Sequence, residues 1–299
     1  MQSSYLLLND LRVHYLHWNL ADGRRPVVLL HDLASNARTW ELVAPHLADA
    51  GLLPLAPDAR GHGLTDQPDG DYGFDTYLKD LRAFIEACNL ERPVLVGHSW
   101  GALLALDYAA RVSFGPRAPA GVVLVDGGMT QLDDAPEGSP PPIWEQVRDR
   151  LAPPYQAGMP LADFLDRLGR EPSHWQPEDP VIPILLANFE ISAEETILPR
   201  LSIDHHMQIV RSMWEFPTYQ RFQQVRCPVL LAPARPPEPH SPGEKEILAL
   251  QQRGIKQAQK RAANLSIHWM ADSSHDIPLQ RPVELAALIG EFAASLAKP

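Results

Sequence analysis

The clearest indication of chemistry in the sequence is the segment Gly97-His98-Ser99-Trp100-Gly101. A serine between two glycines, after a short apolar run and before an Ala- and Leu-rich run, is the pattern of a nucleophile on a sharp turn from a strand into a helix. Glycine suits the flanking positions because side chains there would clash with neighbouring backbone. Such a turn lifts the Ser99 hydroxyl off the sheet and aims the Trp100 amide at a developing oxyanion. We therefore predict that Ser99 is a nucleophile.

The elements that must position this turn are short apolar runs that alternate with helical runs along most of the chain. Most of these runs are continuously apolar, as in parallel strands that are covered on both faces. The alternation predicts right-handed crossovers and an α/β fold with a doubly wound, mostly parallel sheet. The predicted strands are residues 5–8 and 12–18 (a hairpin), 27–31, 52–57, 94–98, 122–126, 229–232 and 265–270. The predicted helices are residues 38–50, 75–88, 99–111, 244–263 and 282–296.

The alternation of strands and helices breaks between about residues 128 and 226. This stretch contains several prolines and helical segments such as 143–151 and 161–169, and it has no strong strand signal. We predict a helical cap subdomain over residues 128–226. The cap is inserted into a core domain formed by residues 1–127 and 227–299.

Three further segments agree in order and spacing with a known family. His31-Asp32-Leu33-Ala34 follows the third predicted strand, residues 58–63 (Asp-Ala-Arg-Gly-His-Gly) follow the fourth, and residues 274–276 (Ser-His-Asp) lie between the last strand and the last helix. Together with the serine turn, these segments resemble the α/β-hydrolase superfamily along nearly the whole chain, in particular its serine-nucleophile esterase- and lactonase-like members. The resemblance implies an eight-stranded, mostly parallel sheet with a helical cap.

The resemblance also implies an oxyanion hole built from the backbone amides of Leu33 and Trp100, since backbone N–H groups do this work whatever the side chains are. Asp32 departs from the family pattern, which has glycine after the histidine. Aspartate tolerates unusual backbone angles better than most residues, so the turn can survive. A carboxylate that pointed inward would oppose an oxyanion. We therefore expect Asp32 to point away from the site or to hydrogen-bond its own loop.

A serine nucleophile needs a base within hydrogen-bond reach, and His275 is the best placed of the twelve histidines. The turn after the last predicted strand delivers His275 to the carboxyl edge of the sheet, where Ser99 also lies. The acid that orients the histidine has two candidates. Asp126 ends the strand that follows the serine helix, as in some branches of the superfamily, whereas Glu238 lies near the family's usual acid position. We favour Asp126 and keep Glu238 as the alternative.

Candidate residues for the substrate pocket are His31, Trp144 and Trp214. The two tryptophans belong to the predicted cap and can form an apolar wall, but aromatic residues there can equally hold the cap to the core. His31 has a second interpretation as a loop brace.

The bulk composition excludes several partner classes. The net charge of −11 disfavours nucleic acid and anionic membranes as partners. The N-terminus lacks a signal-peptide pattern and no apolar run reaches the roughly 18 residues that span a bilayer, so we expect a cytoplasmic location. Two cysteines imply no disulfide framework. No metal or dinucleotide motif is present, so we expect no cofactor, and no pattern selects an oligomeric state.

These patterns and the resemblance together lead us to expect a serine hydrolase that cleaves carboxylic esters or lactones of small, largely apolar molecules. A serine at the turn counts against the haloalkane dehalogenase and epoxide hydrolase branches, which use aspartate there. The alternatives are a carbon–carbon bond hydrolase, a proline-iminopeptidase-like hydrolase and a non-catalytic ligand receptor on the same fold.

Overall fold

The computed structural model describes residues 1–19, 23–135, 138–154, 156–170 and 175–297. The strands are β1 (Gln2–Leu8), β2 (Leu11–His17), β3 (Pro26–Leu30), β4 (Leu53–Pro57), β5 (Val94–His98), β6 (Gly121–Val125), β7 (Met159–Pro160), β8 (Phe189–Ile191), β9 (Thr196–Pro199), β10 (Val229–Ala232), β11 (Ala234–Arg235), β12 (Leu265–Ile267) and β13 (Met270–Ala271). The helices are α1 (Ala44–Asp49), α2 (Phe74–Ala87), α3 (Trp100–Arg111), α4 (Trp144–Leu151), α5 (Leu161–Arg170), α6 (Ile182–Leu186), α7 (Ile203–Trp214), α8 (Thr218–Gln224), α9 (Pro242–Gln259), α10 (Ile277–Gln280) and α11 (Pro282–Ser295).

Across the described residues, eight strands form one sheet in the order β1-β2-β4-β3-β5-β6-β10-β12. Only the β1–β2 and β2–β4 pairs in this sheet are antiparallel. Strands β3, β5, β6 and β10 are buried along their whole length. They read as continuous apolar runs because α2, α3, α8 and α9 cover one face of the sheet and α1 and α11 cover the other. The sheet confirms the predicted mostly parallel α/β fold.

Two predicted elements are interrupted for local reasons. The helix predicted over residues 38–50 is a 3₁₀ turn (Ala37–Trp40) followed by α1. Pro45 lies in the first turn of α1, where its missing amide hydrogen and fixed φ are tolerated, and it cannot lie inside a longer helix. The strand predicted over residues 265–270 is divided into β12, which joins the main sheet, and β13, which pairs with β11.

The segment between β6 and β10 is mainly helical, with α4 to α8, but it also contains a small antiparallel sheet in the order β7-β9-β8. The segment packs over loops that follow the strands of the main sheet. His205 stacks on Tyr72 with ring centroids 3.9 Å apart, and Phe216 lies 4.2 Å from Phe74. The division of the chain into a core domain and a cap over residues 128–226 stays a prediction.

Candidate functional site

Ser99 lies between β5 and α3 on a strained turn with φ +53° and ψ −113°. A non-glycine residue holds this conformation only where the surroundings enforce it. A Cβ atom added to Gly97 would lie 2.1 Å from the carbonyl oxygen of Gly101, and one added to Gly101 would lie 2.5 Å from backbone oxygens at the end of β3. The two glycines therefore let β3, β5 and α3 approach closely enough to form the turn that presents Ser99.

His275 and Asp126 form a close pair at the same edge of the sheet. His275 Nδ1 donates to Asp126 Oδ2 at 2.7 Å, because a carboxylate oxygen can only accept. Asp126 Oδ1 accepts from the Ala234 amide and from the Gln251 side-chain amide, both at 2.9 Å. Both carboxylate oxygens are thus engaged, which fixes the orientation of the Asp126 side chain toward His275.

Glu238 does not reach this pair. Its side chain is 82% exposed, and its recorded ion-pair contact is with His240, at 3.9 Å. Of the two carboxylates that the sequence proposes as the acid, the fold therefore brings Asp126 to His275.

Two residues that support the pair were not singled out from the sequence. Gln251, on α9, donates to Asp126 from a buried position. His98 donates from Nε2 to the carbonyl oxygen of His275 at 2.7 Å and so holds the backbone of the histidine loop. A buried glutamine on the inner face of a long amphipathic helix was the available signal for Gln251, but its partner depends on how α9 packs.

The amides of Leu33 and Trp100 converge on one point, and the carboxylate of Asp32 occupies that point. Asp32 Oδ1 accepts from the Leu33 amide at 2.6 Å and from the Trp100 amide at 3.2 Å. Its Oδ2 lies 3.5 Å from His275 Nε2, and the Ser99 side chain is near enough to help lower the pKa of this carboxylate. Asp32 hydrogen-bonds its own loop, which is one of the two expected outcomes, but its carboxylate does so from within the site rather than pointing away. Two converging N–H groups and an imidazole attract the negative charge inward.

The electrostatics of the site follow from this arrangement. Burial alone would raise the pKa of Asp32, but the bonds from His275 and Ser99 and the neighbouring histidines hold that pKa well below its usual range. Loss of hydration lowers the pKa of His275, yet the carboxylates of Asp126 and Asp32 overcome this and raise it well above its usual value. The two carboxylates therefore favour the charged form of the His275 ring that lies between them.

His31 is buried behind the loop after β3 that contains Asp32 and Leu33. Its Nδ1 donates to the Asp32 carbonyl oxygen at 2.7 Å, and its Nε2 accepts from the Ala59 amide at 3.0 Å. Burial lowers the pKa of His31, which fits the neutral tautomer that these two bonds require. The ring thus ties the loop after β3 to the loop after β4.

Trp144 and Trp214 lie on α4 and α7, with ring centroids 6.4 Å apart and the Arg211 guanidinium 4.8 Å from the Trp144 ring. A cavity of about 320 Å³ lies beside the loop after β3, and the residues that line it do not include these two tryptophans. Ala34, next to Leu33, forms one wall, and the segment between β6 and β10 supplies the rest, including His206. The lining is mostly apolar, so the cavity has the apolar wall that the tryptophans were expected to form.

Cys88 and Cys227 are free, and burial raises the pKa of these thiols to about 11 and about 12. Thiols with such values are not thiolates at neutral pH and do not compete with Ser99 as nucleophiles. The described part of the chain contains no group of three or more His, Cys, Asp or Glu side chains that could hold a metal ion. It also contains no helix that is both long and apolar enough to cross a membrane.

A family model described as the alpha/beta hydrolase family matches residues 27–288. A non-heme chloroperoxidase from Streptomyces lividans is 35% identical over 141 residues, which are 47% of this chain and 51% of that protein. This chain therefore spans about half the length of that relative.

Two solved structures are similar over almost the whole chain. An E-2-(acetamidomethylene)succinate hydrolase has a TM-score of 0.72 and 19% identity, with 98% of this chain and 99% of that chain covered. An enol-lactonase from Burkholderia xenovorans LB400 has a TM-score of 0.68 and 18% identity, with 98% and 100% covered. At these identities the likeness shows the fold alone.

Proposed function

The chain belongs to the alpha/beta hydrolase family, and we propose that it is a serine hydrolase that cleaves carboxylic esters or lactones of small, largely apolar molecules. The observation that carries the proposal is the arrangement of three parts at one edge of the sheet. Ser99 stands on a strained turn, His275 is oriented by Asp126, and two backbone amides converge beside the serine. Acyl transfer needs a nucleophile, an oriented base and an oxyanion hole in this combination.

The proposed reaction has two halves and begins once the Asp32 side chain has left the two amides. His275 Nε2 takes the proton of Ser99 as the serine oxygen attacks the carbonyl carbon, and the oxyanion is bound by the amides of Leu33 and Trp100. The tetrahedral intermediate collapses, the bond to the leaving alcohol breaks, and His275 gives its proton to that oxygen. Water then attacks the acyl-enzyme in the same way and releases the acid and the free serine.

Asp126 has the same role in both halves. It keeps the His275 proton on Nδ1, so that Nε2 is free to accept, and it stabilises the imidazolium once that has formed. The bonds from Ala234 and Gln251 prevent the carboxylate from turning away. This supports Asp126 rather than Glu238 as the acid.

The substrate size is inferred from the cavity beside Ala34. About 320 Å³ lies at the lower end of the range for small-molecule pockets. Its apolar lining suits an aliphatic or aryl acyl group, and His206, with its pKa lowered by burial, adds a neutral polar group to that wall. The structurally similar enol-lactonase, named for a lactone substrate, is compatible with this substrate class.

Hydrolysis of p-nitrophenyl butyrate and of a γ-lactone tests the proposal. We expect the wild type to turn over at least one of them and Ser99→Ala to lose about 10³-fold or more in kcat/KM. Ser113→Ala, a serine at the end of α3 that bonds only to helix carbonyls, is the matched control and should retain the wild-type rate. Equal rates for wild type and Ser99→Ala would refute the serine mechanism.

A further inference from the structure

The carboxylate of Asp32 lies where the oxygen of a reacting carbonyl has to lie. An oxyanion is bound about 2.7–3.1 Å from its amide donors. Asp32 Oδ1 already lies 2.6 Å from the Leu33 nitrogen and 3.2 Å from the Trp100 nitrogen. Two oxygen atoms cannot share this point, so the chain itself fills the hole.

The same side chain also lies close to both groups that exchange a proton in acyl transfer. Asp32 Oδ2 lies 3.5 Å from His275 Nε2, and the Ser99 side chain is near enough to help lower the pKa of the carboxylate. A protonated Nε2 that faces a carboxylate cannot accept the serine proton. The occupied hole and the engaged base are therefore two consequences of one side-chain position.

The charged and titratable groups around Asp32 come from several elements. His98 at the end of β5 and His275 after β13 act on its ionisation directly, and the charge of Asp32 acts in turn on His206 on α7. Asp126, after β6, is the second carboxylate on His275. The surroundings thus offer positive or neutral histidines to Asp32 and place the opposing carboxylate on the far side of the His275 ring.

We propose that Asp32 is an internal ligand of the oxyanion hole that closes the resting site to ester carbonyls, and that its displacement admits the substrate. The inference rests on the proposed function, because it assigns the hole a role in acyl transfer. It makes Asp32 a residue that determines which substrates react, since an entering carbonyl must replace a charge-assisted pair of hydrogen bonds. A glycine at this position leaves the two amides free for a carbonyl or for a free carboxylate such as acetate.

Kinetics of two Asp32 variants test the displacement. We expect Asp32→Gly to raise kcat/KM for p-nitrophenyl butyrate by about 10–100-fold. The two amides are then always free for the substrate carbonyl, whereas in the wild type the Asp32 carboxylate must leave them first. Asp32→Asn still presents an oxygen to both amides and should stay closer to the wild type. Ser113→Ala, at the end of α3 and outside this loop, should leave the rate unchanged. Acetate should inhibit Asp32→Gly competitively and the wild type hardly at all.

The ring nitrogens of His275, followed by NMR, give a readout that does not depend on turnover. The pKa of His275 should fall in both Asp32 variants and rise again when acetate is added to Asp32→Gly. An unchanged pKa together with equal rates in wild type and Asp32→Gly would overturn the inference. If the pKa responds as expected but no variant hydrolyses any ester, Asp32 is upheld as the ligand of the hole and the proposed function is the part that fails.

Discussion

Replacement of Asp126 by asparagine removes one charge and forces a choice of orientation on the new amide. The oxygen now at Oδ1 accepts from the Ala234 amide and from Gln251, and the oxygen at Oδ2 accepts from His275 Nδ1. If the NH₂ group of the new asparagine faced Ala234 and Gln251, its N–H donors would oppose the N–H donors of these two residues. That orientation loses two hydrogen bonds, each worth about 1 kcal/mol net, and leaves buried donors unsatisfied. The NH₂ group will therefore face His275.

This orientation reverses the histidine tautomer. Nδ1 becomes an acceptor, the ring proton moves to Nε2, and Nε2 can no longer take the proton of Ser99. Serine hydrolases with a reversed tautomer lose about 10⁴-fold in kcat, which is about 5.5 kcal/mol of transition-state stabilisation. We expect Asp126→Asn to lose about 10³- to 10⁴-fold in kcat/KM, with little change in the unfolding midpoint.

The assay is the hydrolysis of p-nitrophenyl butyrate. Asp126→Asn is measured in the wild type and again in the Asp32→Gly background, where a higher starting rate keeps a large loss of activity measurable. Glu238→Gln is the matched control, because it makes the same chemical change at the competing, exposed carboxylate. It should remain within about twofold of its parent. A loss of less than about tenfold in Asp126→Asn, or a larger loss in Glu238→Gln, would refute the assignment of the acid.

Three further outcomes follow from the packing and the charges. Gly97→Ala should lower the free energy of unfolding by about 3 kcal/mol or more, because the new Cβ would lie 2.1 Å from a backbone oxygen. Gly290→Ala is the control, because a Cβ there has no atom within 4 Å, and it should be neutral or stabilising. Urea melts measure both. His275 must be neutral to act as a base and its pKa is raised, so kcat/KM should increase with pH, and in Asp32→Asn the acid limb of that profile should move to lower pH. Asp58→Asn should cost about 2–4 kcal/mol at pH 7, because the buried carboxylate accepts from a histidine and two amides. Burial opposes the ionisation of Asp58, but these bonds lower its pKa. Its contribution to the free energy of unfolding is therefore present above the unfolded pKa of about 3.9 and is lost as pH falls through the folded pKa. In urea melts, the difference in stability between wild type and Asp58→Asn should be smaller at pH 3 than at pH 7.

The sequence predicts those elements whose signal is local. Strands β5 and β10 have the predicted bounds, since continuous apolar runs between polar turns leave little freedom in their placement. The serine turn is predictable because its glycines and flanking runs lie within a few residues. Strands β7, β8 and β9 are two to four residues long and carry too few residues for any periodicity. Pro45 was visible in the sequence, but the way in which it divides a helix depends on the 3₁₀ turn before it.

The parts of the site that depend on packing are harder to predict. Asp126 and Glu238 lie in different loops, and which of them reaches His275 is decided by the position of β6 beside β10 and by Gln251 on α9. The position of Asp32 depends on groups that only the folded chain assembles, namely two amides from separate segments and an imidazole from a third. A sequence pattern records the residue types but not this convergence.

The proposed mechanism requires Ser99 to be an activated nucleophile, and a covalent probe tests this most directly. A fluorophosphonate reacts with such a serine and releases fluoride, and the adduct is read by intact mass and peptide mapping. We predict one adduct per chain, at Ser99, with faster labelling in Asp32→Gly than in wild type and no labelling in Ser99→Ala. No adduct in either the wild type or Asp32→Gly, or an adduct that persists in Ser99→Ala, would contradict the account.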